Sequence, residues 1–183
     1  ILFHKKNKGK GAAIKSAQKF IKGIYVVIQD ADLEYNPADL IKLYKFIDKS
    51  NWLPEIYQIG IRNVQGMCLS PFDNNIYMTN HGARGGDWFG KINIGGNYGW
   101  DKLYWGGTKY SGLPGGPKWL PGYDKPIKYY VPSIATSACL IYNGDEFKEW
   151  NGEALIASLK NQSLRRLKFK GNEFIDEQIV FKN

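Results

Sequence analysis

Residues 66–94 read GMCLSPFDNNIYMTNHGARGGDWFGKINI, and their alternation of short apolar runs with turn-forming residues decides the fold. Runs rich in β-forming residues at 66–72, 76–80 and 91–94 are separated by Asp, Asn and Gly, which favour turns. Further runs of the same kind follow at 137–142, 153–159, 164–169 and 174–181. The pattern predicts short antiparallel strands, arranged as a sandwich or a β-propeller. Residues 98–130 are rich in Gly, Pro and Trp, which predicts an irregular excursion over a surface.

The first 50 residues have a different composition, with three of the 21 glycines and none of the six tryptophans. Apolar periodicity predicts helices at 8–22 and 38–48, and a β-branched run at 24–29 predicts a buried parallel strand. Helix, strand and helix in this order predict an α/β crossover. The fold class is therefore mixed: a short α/β domain at 1–50, followed by an antiparallel all-β domain at 51–183.

Two motifs of the first domain suit phosphate and metal binding. Residues 7–11, NKGKG, stand at a predicted helix start, where glycines, lysines and free N–H groups favour an anion. A solvated helix start would have the same pattern. Asp30 and Asp32 share one face after the predicted strand, and paired carboxylates suit Mg²⁺ or Mn²⁺. Two turn or helix-cap aspartates are the alternative interpretation.

Taken together, residues 7–13 (NKGKGAA) and 27–37 (VIQDADLEYNP) resemble family 2 glycosyltransferases of the dolichyl-phosphate mannosyltransferase type. The resemblance covers residues 1–49 and implies a GT-A-like fragment that uses a nucleotide-diphospho-sugar donor. It implies Mg²⁺ or Mn²⁺ near Asp30 and Asp32, and Lys10 near the nucleotide. Such transferases use cytoplasmic nucleotide sugars.

Polar side chains and glycines cluster in the second domain. Arg62 can bind a carboxylate or quinone oxygen with two N–H groups, while Asn63 and Gln65 can both donate and accept hydrogen bonds. A polar loop before a strand is the simpler interpretation. In residues 80–87, NHGARGGD, three glycines expose backbone carbonyls and Asp87 adds a carboxylate, and Ca²⁺ binds oxygen ligands of this kind. His81 within them is either a base or ligand, or a hydrogen-bonded structural residue.

Five motifs resemble, in their order along the chain, those of the glucose/sorbosone dehydrogenase family. They are RNVQG at 62–66, HGARGGD at 81–87, NYGW at 97–100, PSIA at 132–135 and SLK at 158–160. The resemblance implies a six-bladed β-propeller that uses pyrroloquinoline quinone (PQQ) and Ca²⁺. It places Arg62, Asn63, Gln65 and Lys160 in the quinone site. The backbone carbonyls of Gly82 and Ala83 would bind Ca²⁺.

The family's catalytic histidine precedes the Arg-Asn motif, where this chain has glycosyltransferase-like sequence. We therefore expect no catalytic residue, about half a propeller, and an inactive fragment of an aldose-oxidising enzyme. A glycosyltransferase fragment and a non-catalytic sugar- or partner-binding fusion are the alternatives. A chimera from a truncated or misassembled reading frame would explain the join near residue 50. Whether the chain is an enzyme stays open at this point.

Composition restricts the partners. The net charge of +8 is basic, but lysines and aromatic residues do not interleave as in a nucleic-acid platform, so we expect no nucleic acid. We expect small-molecule sugars, a nucleotide sugar for residues 1–50, no transmembrane segment, and self-association through open sheet edges. Cys68 and Cys139 are expected to be two buried free thiols. The chain starts at Ile1 without a signal segment, so localisation is not determined: a dehydrogenase parent implies the periplasm or secretion, a transferase parent the cytoplasm.

Overall fold

The structure is a computed structural model that describes Lys6, residues 10–22 and residues 56–183. The chain divides into two compact units, Ile1–Glu55 and Ile56–Asn183. In the first unit, helix α1 spans Lys10–Ala17 and a 3-10 turn follows at Gln18–Phe20. The helix predicted at 8–22 is therefore confirmed over a shorter span. The strand predicted at 24–29 and the helix predicted at 38–48 lie outside the described residues.

The second unit consists of short strands and turns. Its strands are β1 (Gln58–Ile59), β2 (Val64–Leu69), β3 (Ile76–Asn80), β4 (Asp87–Lys91), β5 (Gly96–Asn97), β6 (Lys128–Tyr130), β7 (Thr136–Ile141), β8 (Ala154–Ser158), β9 (Ser163–Lys170) and β10 (Glu173–Lys182). A short 3-10 turn, Lys148–Trp150, lies between β7 and β8. No helix in the described part of the chain is long and apolar enough to span a membrane.

Two four-stranded antiparallel sheets form the unit. The first has the order β2-β3-β4-β6 and the second the order β7-β8-β9-β10, so each sheet is an up-and-down meander. β1 and β5 form a separate parallel pair. The predicted antiparallel β architecture is confirmed for this part of the chain. Successive meanders of four strands are also the way in which propeller blades are built.

The two sheets share one hydrophobic core. Its buried members are Tyr77, Phe89, Ile127, Ile141, Ala154, Ile156 and Leu167. Three of them are aligned by register, because Ile141 lies opposite Ala154 and Ala154 opposite Leu167 on neighbouring strands. Phe169 completes the core by packing its ring edge against Tyr77 and Phe89. The core thus belongs to both sheets.

The short strands β1 and β5 were not predicted, and the strand predicted at 66–72 lies at Val64–Leu69. Two further predictions were wrong. The strand predicted at 91–94 lies earlier, at Asp87–Lys91, and its first four residues are all buried. Asp87 and Gly90 within this strand are residue types that favour turns, so the pattern of apolar runs did not locate it. Within the predicted excursion 98–130, Lys128–Tyr130 forms a strand because β4 supplies its pairing edge.

Candidate active-site cleft

Loops from both sheets line one cleft of about 640 Å³. Because the sheets are antiparallel meanders, the start of β2, the end of β3, the start of β4 and the end of β6 lie at one edge of the first sheet. In the second sheet, the start of β7 and the turn after β8 lie at the same cleft. The sheets therefore bring together residues that are distant in sequence.

The cleft contains most of the residues predicted for the dehydrogenase site. Arg62, Asn63, Gly82, Ala83 and Lys160 all line it. Gln65 does not line the cleft; it is exposed on β2. Of the residues compared with glycosyltransferases, Asp30 and Asp32 lie outside the described residues. Lys10 is the first residue of α1, and its side chain also lies outside what the structure describes.

Arg62 is held in place by two aromatic rings. Its guanidinium carbon lies 5.5 Å from the ring centroid of Trp100 and 5.2 Å from that of Tyr110. One of its N–H groups donates a hydrogen bond of 3.3 Å to the carbonyl of His81. Cation–π contacts and a fixed hydrogen bond reduce the conformational freedom of the side chain. Arg62 therefore presents a preorganised cation to the cleft.

Asn63 has a fixed backbone beside that cation. Its N–H donates to the side-chain oxygen of Asn80 at 2.7 Å, and its carbonyl accepts from the N–H of His81 at 2.9 Å. Asn80 is buried and donates its amide N–H to the carbonyl of His81. These contacts fix the backbone of Asn63, which is one of the residues that line the cleft.

Asp87 connects the loops of the cleft, a role that the sequence did not reveal. Its carboxylate accepts hydrogen bonds from the N–H of Gly82 at 3.0 Å, the hydroxyl of Ser133 at 2.8 Å and the N–H of Ala135 at 2.8 Å. The residue is 2% exposed. We conclude that Asp87 ties the loop after β3 to the loop before β7. The sequence signal was only its place in the HGARGGD motif.

The glycine-rich loop is tightly packed. Gly86 has a φ of +79°, and a side chain there would collide with the backbone of Gly106. Among the described residues, no N–H or O–H group donates to the carbonyls of Gly82 and Ala83. These two oxygens are the sequence-predicted calcium ligands, and both residues line the cleft. The carboxylate of Asp87, in contrast, is already engaged.

His81 has a structural arrangement. Its Nε2 lies 2.7 Å from the carbonyl oxygen of Thr136. A carbonyl can only accept, so this nitrogen carries the proton and donates it. The backbone N–H and carbonyl of His81 hold Asn63 and Arg62. Of the two interpretations that the sequence left open, the geometry favours the hydrogen-bonded structural residue.

The cleft is cationic. Arg62, Arg84 and Lys160 line it, and Asp87 is the acidic residue among its lining side chains. The sequence did not predict two of the lining residues. Arg84 lies within a motif but had no role assigned, and Tyr110 lies in the irregular segment 98–130, where no periodic pattern exists.

In the described part of the chain, no group of three or more His, Cys, Asp and Glu side chains could hold a metal. A calcium site built from backbone carbonyls would not produce such a group.

Comparison with known proteins gives the family. Residues 40–183 match the family model described as glucose/sorbosone dehydrogenase. The chain belongs to this family. The match begins inside the segment that we compared with glycosyltransferases, and nothing in the comparisons supports a glycosyltransferase part.

Individual relatives agree with the family match. Aldose sugar dehydrogenase YliI of Escherichia coli K12 is 36% identical over 138 residues, which are 72% of this chain and 36% of the relative. A crystal structure of a glucose dehydrogenase superposes with a TM-score of 0.65 at 31% identity, covering 74% of this chain and 40% of the other. The PQQ-bound aldose sugar dehydrogenase of Streptomyces coelicolor shares the fold, with a TM-score of 0.55 at 21% identity, covering 74% and 35%. The chain thus spans little more than a third of the length of these relatives.

Proposed function

We propose that this chain forms the cofactor-holding part of a PQQ- and Ca²⁺-dependent dehydrogenase that oxidises aldose sugars. One observation carries the proposal: Arg62, Asn63, Lys160 and the glycine-rich loop line one cationic cleft. They come from two different sheets, and the chain belongs to the glucose/sorbosone dehydrogenase family. The six-bladed propeller of the complete enzyme is part of the proposal.

The chemistry of the cleft fits the quinone. PQQ is a planar molecule with three carboxylates, so it requires cations and room for a flat ring system. The cleft offers Arg62, Arg84 and Lys160, and its volume of about 640 Å³ suits a small-molecule site. Arg62 would bind a carboxylate or quinone oxygen with two N–H groups, and Lys160 would pair with a carboxylate. Asn63 would contribute its amide from the cleft wall.

The glycine-rich loop fits a calcium ion. Carbonyl oxygens are ligands that Ca²⁺ accepts, and those of Gly82 and Ala83 are without a donor among the described residues. Asp87 holds the N–H of Gly82 and so keeps this loop in place. When bound, PQQ would supply the two-electron acceptor for the sugar and Ca²⁺ would supply Lewis acidity.

We assign the described residues to cofactor binding, and none of them to the role of general base for the sugar hydroxyl. The sequence has two histidines, His4 and His81. His4 lies outside the described residues, and we assign His81 to the support of the glycine-rich loop, where its Nε2 donates to the carbonyl of Thr136. We therefore propose that the 183-residue chain binds the cofactor and does not turn over sugar on its own.

PQQ titration of the 183-residue chain in the presence of Ca²⁺ tests the proposal, with tryptophan fluorescence as the readout. Arg62→Ala and Lys160→Ala each remove a charged partner, so the Kd of PQQ should rise by about 10- to 100-fold. The control Lys168→Ala removes an exposed lysine of β9 that does not line the cleft, and it should bind as the unmodified chain does. Gln65→Ala should also leave the Kd unchanged.

Circular dichroism of each variant separates loss of binding from loss of fold. A folded chain that binds no PQQ, or variants of Arg62 and Lys160 that bind PQQ as tightly as Lys168→Ala, would refute the proposal.

A further inference from the structure

Two cysteines meet where the two sheets pack together. Cys68 is on β2 and Cys139 on β7, 71 positions apart in sequence, and their Sγ atoms lie 2.6 Å apart. Both are free and half-buried, and neither lines the cleft. The sequence predicted two buried free thiols, and it gave no sign that they would be in contact.

The backbones of β2 and β7 explain this contact. A side chain at Gly66 would have its Cβ 2.6 Å from the carbonyl oxygen of Ser137 and 2.8 Å from the Cα of Ala138. The hydroxyl of Thr79 on β3 donates to the same carbonyl of Ser137. A disulfide requires Cβ atoms about 3.5–4.5 Å apart, which only closely packed strands provide for two short side chains. The glycine at 66 thus lets the two strands approach within reach of a cross-link.

We propose that Cys68 and Cys139 are a modification site, at which thiol–disulfide exchange with a small disulfide such as oxidised glutathione joins the two sheets covalently. The thiolate of one cysteine attacks the small disulfide, forms a mixed disulfide and releases one small thiol. The thiolate of the other cysteine attacks the protein sulfur of the mixed disulfide and releases the second small thiol. Two protein thiols are oxidised, one small disulfide is reduced, and the two cysteine protons end on the released thiols.

The cross-link has a consequence for stability and a pH dependence. It closes a loop of 71 positions in the unfolded chain, and long loops gain most from closure. The contact with Cys68, together with burial, raises the pKa of the Cys139 thiol above its ordinary value. Since the thiolate is the reacting species, the exchange should become faster as the pH rises.

The test begins with the folded 183-residue chain in oxidised glutathione. Remaining thiols are blocked with an alkylating reagent, and the chain is digested and analysed by mass spectrometry without reduction. We expect the peptides that contain Cys68 and Cys139 to be joined, and the melting temperature to rise by about 5–15 °C over the reduced chain. The variants Cys68→Ser and Cys139→Ser should show no such rise.

Three results would overturn the proposal. The first is both cysteines alkylated, or carrying glutathione, after equilibration of the folded chain. The second is joined peptides that form only in denaturant, where folded geometry has no influence. The third is an unchanged melting temperature despite joined peptides. The mass-spectrometric result uses the unmodified chain, so it does not depend on whether the serine variants fold, and PQQ binding plays no part in it.

Discussion

At the scale of single residues, two kinds of side chain form the cleft: those that line it and those that hold its loops in place. Arg62 faces the cleft, yet two aromatic rings and the carbonyl of His81 fix its position. Asp87 is buried and uses its carboxylate on three donors of two loops. The sequence indicated Arg62 and Lys160, because each is a charged residue within a short motif that can be recognised from the sequence alone. It could not indicate Tyr110, whose position depends on the path of an irregular segment.

Removal of the Asp87 carboxylate should destabilise the chain. Asp87→Ala leaves three donors without their acceptor, two of them backbone N–H groups, and we expect the free energy of unfolding to fall by about 2–4 kcal/mol. Ser133→Ala removes one of these hydrogen bonds and should cost about 1 kcal/mol. Urea unfolding curves of both variants measure the difference. Equal losses in the two variants would show that Asp87 does not tie the loops together.

At the scale of elements, the sequence located those strands that lie between turn-forming residues. β3 was predicted with its observed bounds, and each of β7 to β10 within one residue, because turn-forming residues bound these runs on both sides. β4 escaped because Asp87 and Gly90 within it are residue types that favour turns, and β6 because it has three residues within a Gly- and Pro-rich segment. Neither strand stands out in the local sequence. Their positions follow from pairing with strands that are distant in sequence.

The turn between β2 and β3 should make stability sensitive to acid. Burial alone would raise the pKa of Asp73, but hydrogen bonds from Asn75, Ser70 and Tyr77 outweigh it and lower the pKa to about 2. A lowered pKa contributes stability above the ordinary value of 3.8, and this stability is lost as the pH falls through about 2. We expect Asp73→Asn to reduce the loss of stability between these two pH values.

Urea midpoints at a series of pH values between neutral and 2 measure this effect. Asp145→Asn, in the exposed turn after β7, is the matched control and should keep the pH dependence of the unmodified chain. An acid dependence of Asp73→Asn equal to that of the control would contradict the assignment.

At the scale of the whole molecule, the second unit is held together by its core and by a polar cluster on β10. The Glu177 carboxylate accepts from the Tyr130 hydroxyl at 2.7 Å and lies 3.3 Å from a guanidinium nitrogen of Arg165. Tyr130 belongs to the first sheet, and Glu177 to the second. Burial and the Glu177 carboxylate both raise the pKa of Tyr130, so the hydroxyl remains protonated and donates.

Glu177→Ala should weaken the contact between the sheets. It leaves the Tyr130 hydroxyl and Arg165 without their acceptor, and we expect a loss of about 1–3 kcal/mol in the free energy of unfolding. Glu173→Ala changes an exposed glutamate of the same strand and should stay within about 0.5 kcal/mol of the unmodified chain. Thermal unfolding of the two variants side by side provides the comparison. A loss in Glu177→Ala no greater than in Glu173→Ala would contradict the role of this cluster.

Sequence motifs predicted the β fold and the family, but not how the rest of the chain is organised. The division at residue 50 and the self-association through open sheet edges stay predictions. Apolar side chains of β2 and β10 are exposed, Leu69 and Phe181 each by 62%, in agreement with such association. The family match from residue 40 includes part of the segment that we had compared with glycosyltransferases. Composition alone could not distinguish a glycosyltransferase segment from a dehydrogenase segment, because a short helical stretch is common to many folds.

The location of bound ligands tests the central claim most directly. Crystals of the 183-residue chain grown with PQQ and Ca²⁺ would show the quinone by its electron density and the calcium by its anomalous signal. We predict the quinone in the cleft between Arg62 and Lys160, and the calcium at the carbonyls of Gly82 and Ala83. Both ligands bound elsewhere, or a cleft that stays empty at saturating concentrations, would contradict the account.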